Sequence, residues 1–263
     1  MLHQRVTLPT GVPLDVYAPP FPANPDQRRR GIIICPGGGY THLSMREAEP
    51  VALRFAGMGF VTFVVWYHVA PAVFPTQVQD VACAVAHVRS HAAEYHADPD
   101  ALAVMGFSAG AHVACTLGVM WQDEHLWQPL GLTAEQVRPN AMVLGYPVIT
   151  GGVFAHRGSF VNLTGSEDLD VHARYSLEEH VTDATPPTFL WHTWEDTSVP
   201  VENTLLFASA LHRCGVQGEV HIYPHGCHGA GLCDETTDLD GRHLVPEAVN
   251  WPQDAARFLR DVL

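Results

Sequence analysis

The 263-residue sequence predicts an α/β fold in which helices cover both faces of a mostly parallel central sheet. Two observations predict it. Short apolar runs rich in β-branched residues, such as 31–35 and 60–66, read as strands buried on both sides. Between them lie longer segments whose apolar positions recur at helical spacing. With 47% hydrophobic residues and no dividing linker, the chain is expected to form one domain over 1–263.

The elements follow in order. Strands over 5–8 and 14–17 open the chain. The next stretch, 18–30, holds four prolines and the arginines 28–30 and reads as an exposed connection. A strand over 31–35 ends at Pro36-Gly37-Gly38-Gly39, a helix over 44–58 stops at Gly57 and Gly59, and a strand over 60–66 follows. The alternation continues with a helix over 78–95, a strand over 102–105, a helix over 109–119 and a strand over 141–144. The last elements are a strand over 188–191, a helix over 201–214, a strand over 219–223 and a helix over 252–263. Two irregular segments, 121–138 with Trp121 and Trp127 and 151–187, are candidates for a small cap that shapes a pocket.

Composition excludes several function classes. Twenty-eight acidic residues against fourteen basic ones, all arginine, give a net charge of −14, the wrong sign for nucleic acid or an anionic membrane. No apolar run approaches the roughly 20 residues needed to cross a bilayer. The N-terminus lacks the charged start and apolar run of a secretory signal, so a cytoplasmic location is expected. The six cysteines show no paired spacing and read as reduced thiols. Seventeen histidines raise the question of a metal, yet none falls in a His-Glu-x-x-His pattern, and no metal or other cofactor is expected.

The chemistry concentrates in a few places. Gly106-Phe107-Ser108-Ala109-Gly110 lies between an expected strand and an expected helix, where a nucleophilic serine sits on a sharp turn between small neighbours. A serine hydroxyl is a weak nucleophile and needs a base oriented by an acid. Asp196 and then His228, each just beyond an expected strand, supply them in the order acid, base. Glu195 and Asp168 are rival acids, and His225 is a rival base. The amides of Gly38, Gly39 and Ala109 are candidate donors to an oxyanion. Tyr40 beside the glycine run and Trp194 near Asp196 are candidate substrate contacts, whereas Trp66 and Trp191 read as core.

Taken together, these motifs resemble the α/β-hydrolase fold esterases, in particular the carbohydrate acetyl esterase and feruloyl-esterase-like branch with its acetylxylan esterase homologues. The resemblance runs from about 31 to 228 and rests on Cys35-Pro36-Gly37-Gly38-Gly39-Tyr40, Glu49-Pro50-Val51-Ala52, Gly106-Phe107-Ser108-Ala109-Gly110, Tyr146-Pro147-Val148, Pro186-Pro187-Thr188-Phe189 and Gly226-Cys227-His228-Gly229. Hormone-sensitive-lipase-like relatives usually carry His where this chain has Pro36, and Tyr-Arg where it has Tyr67-His68. The resemblance implies a serine carboxylesterase acting on small, chiefly acetyl, esters of small-molecule alcohols, carbohydrates among them, with Ser108, Asp196 and His228 as the triad.

Two other functions compete: an arylformamidase-like amide hydrolase using the same residues, and a non-catalytic binding module on the same scaffold. A histidine base must be neutral to accept a proton, so ester hydrolysis should fall on acidification through the ordinary imidazole range, about 6.5. A rate profile from pH 5 to 8 checks this; a flat profile contradicts a histidine base.

Overall fold

The apolar run at 31–35 becomes the buried part of a central strand, because each of its residues meets protein on both faces of the sheet. The structure, a computed structural model, describes residues 2–19 and 27–263. Eight strands form one sheet: β1 (Leu2–Thr7), β2 (Pro13–Ala18), β3 (Arg29–Cys35), β4 (Val61–Val65), β5 (Ala97–Phe107), β6 (Ala141–Gly145), β7 (Thr188–Thr193) and β8 (Gly218–Tyr223). Their order is β1-β2-β4-β3-β5-β6-β7-β8. β2 is antiparallel to both β1 and β4, and every neighbouring pair from β4 to β8 is parallel. This is the α/β-hydrolase fold expected from the sequence.

Nine α-helices occur among the described residues: α1 (Glu49–Gly57), α2 (Thr76–Ser90), α3 (Ala109–Met120), α4 (Glu124–Trp127), α5 (Ala134–Val137), α6 (Arg157–Thr164), α7 (Leu169–Ala173), α8 (Glu202–Arg213) and α9 (Trp251–Val262). None is long and apolar enough to cross a membrane. Side chains alternate across a strand, so the sheet builds two cores. Ile33, Val104, Leu144 and Leu190 pack with α2, α3 and α8. Ile32, Ile34, Met105, Val143 and Trp191 pack with α1 and α9. Trp191 stacks on Trp251 at 5.1 Å, and Phe55 and Phe107 pack on Trp251 as well.

Several boundaries differ from the sequence reading. The segment 44–58 divides into a 3₁₀ turn, Met45–Glu47, and α1, because Pro50 favours the first turn of a new helix. α2 ends at Ser90, although Ala92 and Tyr95 remain buried in the turn beyond it; their burial extends the apolar periodicity past the helix. Arg29 and Arg30 belong to β3 rather than to the loop before it, where the Arg29 N–H donates to the His96 carbonyl. The proline-rich part of that loop, residues 20–26, lies outside the described residues. Trp66 follows β4 half-buried, with its indole N–H on Asp15 at 2.8 Å, while Trp191 is fully buried.

The topology fixes where loops can meet. Because β3, β5, β7 and β8 run parallel, their carboxyl ends open on the same edge, and the segments after Cys35, Phe107, Thr193 and Tyr223 converge there. The convergence requires close backbone contact. A Cβ on Gly106 would lie 2.2 Å from the Gly110 carbonyl oxygen, and one on Gly110 would lie 2.1 Å from the Cys35 carbonyl oxygen. Neither neighbour is a side chain that can turn aside. Gly106→Ala is therefore expected to lower the stability by about 3 kcal/mol or more, read as a reduced midpoint in urea unfolding.

Candidate active site

Ser108 sits at the junction of β5 and α3 with φ 54° and ψ −122°, a backbone conformation that L-residues other than glycine seldom adopt. Hydrogen bonds hold it there. Its N–H donates to the Gly145 carbonyl, and its own carbonyl accepts from the N–H groups of Ala111, His112 and Val148. The hydroxyl thus stands at the start of α3 rather than along a strand face.

The turn after β8 brings His228 to this hydroxyl: Nε2 lies 2.7 Å from Ser108 Oγ, and Nδ1 lies 2.6 Å from Asp196 Oδ2. An ionised carboxylate only accepts, so Nδ1 carries the proton and Nε2 is left to accept from the serine. Asp196, on the loop after β7, receives the N–H groups of Ser198 and Val199 on Oδ1, both at 2.9 Å. His192 lies 3.3 Å from Oδ2 and 3.0 Å from the Val199 carbonyl oxygen through Nε2, and its Nδ1 faces the Thr204 hydroxyl. Burial opposes ionisation of Asp196, but the hydrogen bonds from His192 and His228 and from the backbone prevail and hold its carboxyl well below the usual range.

The rivals separate cleanly. Glu195 and His225 pair with each other at 3.1 Å, both more than half exposed. Asp168 caps α7 by accepting the Asp170 N–H. Two adjacent acids and two histidines three positions apart thus sort into an exposed pair and a second pair, a buried Asp196 and a part-buried His228, of which His228 meets Ser108.

The glycine run forms the facing wall. The Gly37 carbonyl accepts from Ser44 N–H, and the Gly38 carbonyl accepts from Thr41 N–H and from the Thr41 hydroxyl. Across each trans peptide this fixes the opposite N–H, that of Gly38 and of Gly39. Among the described residues no protein acceptor takes up these two N–H groups or that of Ala109. Gly38 has φ +130°, and a Cβ there would meet the His42 carbonyl oxygen at 2.1 Å, so only glycine fits. Pro36 takes part through its carbonyl, which accepts the Tyr67 hydroxyl at 2.6 Å.

Three further residues hold this arrangement and were not found by sequence reasoning. Glu47 is buried, receiving Gly37 N–H on Oε2 and the Tyr146 hydroxyl on Oε1, each at 2.7 Å. The Tyr146 oxygen in turn accepts Gly231 N–H, and its ring meets that of His228 edge-on at 5.1 Å. Burial, and then the Glu47 charge, push the Tyr146 phenol well above its ordinary range, so it stays a donor. Asn162 of α6 donates through Nδ2 to the Gly39 carbonyl at 2.8 Å. The Tyr146-Pro147 pair was visible as a motif, but nothing local signals the partner of Glu47 or Asn162.

A cleft of about 480 Å³ opens over Ser108, lined by Gly38, Gly39, Thr41, Arg46, His156, Asn162 and His228 among others. Neither expected aromatic contact lies in it. Tyr40 is buried, with its hydroxyl on His112 Nδ1 at 2.9 Å, because its φ of 61° turns the side chain into the core. His112 gives its Nε2–H to the Tyr175 carbonyl, and burial lowers its pKa to about 4. Trp194 is 62% exposed and outside the cleft lining. Residues 121–138 pack against α2 through the Gln79 and Arg89 side chains and contribute nothing to the lining, whereas 151–187 supplies His156, Gly158 and Asn162. All six cysteines are unpaired. Asp238, Asp240 and His243 are the one group among the described residues whose ligand atoms could surround a metal, and they too lie outside the cleft lining.

The architecture and the clustered serine, histidine and aspartate are those of the α/β-hydrolase class. The BD-FAE family model matches residues 14–211, and the chain belongs to that family of carboxylic ester hydrolases. Endo-1,4-beta-xylanase B of Butyrivibrio fibrisolvens is 36% identical over 81% of this chain and 34% of its own length. The acetylxylan esterase of Xylanibacter ruminicola is 32% identical over 81% of this chain and 43% of its own length. The chain thus spans less than half the length of these two relatives. Among solved structures, an acetyl ester-xyloside bifunctional hydrolase from Caldicellulosiruptor lactoaceticus is similar with a TM-score of 0.83 and 37% identity, over 97% of this chain and 89% of that one. The carboxylesterase Cest-2923 from Lactobacillus plantarum aligns with a TM-score of 0.87 and 29% identity, over 99% and 98%.

The depressed pKa of Asp196 has a definite sign in stability. A carboxylate favoured in the folded state contributes stability that is fully present above its unfolded pKa, about 3.9, and is lost as pH falls toward the folded value. Asp196→Asn removes that contribution. The stability gap between wild type and Asp196→Asn should therefore be smaller at pH 3 than at pH 7, though not abolished, measured by denaturant unfolding at both.

Proposed function

We propose that the protein is a serine carboxylesterase that hydrolyses small acyl esters, acetyl foremost, of polar polyhydroxylic alcohols. The observation that carries this reading is the unbroken hydrogen-bonded chain from the Ser108 hydroxyl through His228 to a buried, ionised Asp196. The polar cleft and the acetyl-ester activities named for the relatives support the substrate class.

In this reading Ser108 Oγ bonds to the ester carbonyl carbon as His228 Nε2 takes its proton. The charge that develops on the carbonyl oxygen is received by the N–H groups of Gly38, Gly39 and Ala109, which need no reorganisation because their peptides are already held. Collapse breaks the bond to the alcohol oxygen, which leaves with the proton from His228. Water then gives a proton to Nε2 as it attacks the acyl-serine, and the acid departs as Ser108 is restored. Asp196 keeps the imidazole in the Nδ1–H tautomer and stabilises its cation. Glu47, Tyr146 and Asn162 act through the loops they hold rather than on the substrate.

Ser108→Ala and His228→Ala should each lower kcat for p-nitrophenyl acetate by about 10⁴-fold or more, and Asp196→Asn by about 10⁴-fold. Glu195→Gln, which lies in the exposed pair, should change it by less than about twofold, against that same triad scale. Undiminished turnover by Ser108→Ala overturns the reading.

A further inference from the structure

His228 is not the sole imidazole in the cleft. His156 lines it too, from the turn that leads into α6. The two rings are bonded in opposite senses. Where His228 Nδ1 faces an acid, His156 Nδ1 faces donors: the Ser159 N–H at 3.3 Å and the Ser159 hydroxyl at 2.8 Å. A ring nitrogen that accepts a backbone N–H carries no proton, so the neutral ring holds its hydrogen on Nε2. Among the described residues, no protein acceptor takes up that Nε2–H.

The ring is also held in place. Asn203 binds both sides of the preceding loop, accepting from Ile149 and Thr150 N–H and donating to the Phe154 carbonyl. Arg157 donates to the carbonyls of Gly151 and Gly152. Asn162, six residues further on, ties α6 to the Gly39 carbonyl, so the element that follows His156 is fixed to the glycine wall beside Ser108. Burial, and then the nearby His228, lower the His156 pKa, which keeps the ring neutral and its tautomer defined at neutral pH.

We propose that His156 is a specificity-determining residue whose Nε2–H donates to a free hydroxyl of the alcohol portion, next to the carbon that bears the scissile ester. The inference rests on the esterase reading above and adds a selection to it: partly acylated polyols, with an unmodified hydroxyl beside the ester, over simple esters and over fully acylated polyols. Site-built donors of this kind discriminate because an analogue lacking the hydroxyl leaves the imidazole N–H without a partner.

The test separates capping from recognition. Asparagine at position 156 can still accept the N–H groups of the first turn of α6 but lacks the reach of the imidazole, so His156→Asn should fold with a melting temperature close to wild type. On a monoacetylated xyloside with a free adjacent hydroxyl, kcat/KM of His156→Asn should fall about 10-fold or more further than on phenyl acetate, with the loss chiefly in KM. On the same xyloside with that hydroxyl replaced by hydrogen, wild type and His156→Asn should be nearly equal. Equal losses on all three esters, or a wild type indifferent to the hydroxyl, overturn the inference while leaving the esterase reading intact. No Ser108-dependent turnover of any of the three overturns the esterase reading and the inference with it.

Discussion

The site depends on how closely the backbone after β3 and the start of α3 can approach. Gly110 sits against the Cys35 and Pro36 carbonyls, and Gly106 against Gly110 itself, at separations no Cβ would allow. That contact puts the strained Ser108 beside the glycine run, so its hydroxyl and three N–H groups without an acceptor among the described residues are brought close together. The strain at Ser108 is sustained because four backbone hydrogen bonds over-determine it. Without this approach the histidine and aspartate loops would still lie on the same sheet edge, but they would have no oriented hydroxyl to act on.

Two buried carboxylates then do different work through different partners. Asp196 is held by backbone N–H groups on one oxygen and by imidazoles on the other, which fixes both its charge and the ring it faces. Glu47 binds one N–H of the glycine run and one phenol, and that phenol accepts from the turn just after His228. A displacement of Glu47 would therefore reach the glycine run and the turn after His228 together. A carboxylate this deep is stable only with such hydrogen bonds, which is why its neighbours are N–H and O–H donors rather than apolar groups.

The positions of most strands and helices and the two-sided core were legible because they follow from periodicity, a local property that each stretch carries by itself, whereas the order of the strands in the sheet was not. β3, with every position from Gly31 buried, and α9, with one apolar face, are clear cases. Ser108 was legible for the same reason: its signal is a turn between a strand and a helix. Asp196 against Glu195, and His228 against His225, were harder, since neighbours on a loop share their local environment and differ only in which way the folded loop turns them. Tyr40 misled because adjacency to the glycine run was taken as access to the cleft, when a left-handed backbone conformation turned its ring into the core. Glu47, Asn162 and His156 were not legible at all, because each is defined by a partner or a cleft made by distant parts of the chain.

With seventeen histidines, identity says little about role, and the partner of Nδ1 says most of it. At His228 a carboxylate on Nδ1 places the neutral ring's proton there and makes Nε2 an acceptor, the property that the proposed role as base requires. At His112 the Tyr40 hydroxyl on Nδ1 and a carbonyl on Nε2 consume both nitrogens, which leaves a structural ring. His192 is likewise committed on both sides, to Thr204 and to the Asp196 loop. At His156 a donor on Nδ1 reverses the His228 pattern and leaves Nε2–H, on a ring that lines the cleft, without a protein acceptor among the described residues. One residue type is thus set in three different hydrogen-bonding states around one cleft, and the partner of each ring nitrogen, not the sequence neighbourhood, decides which.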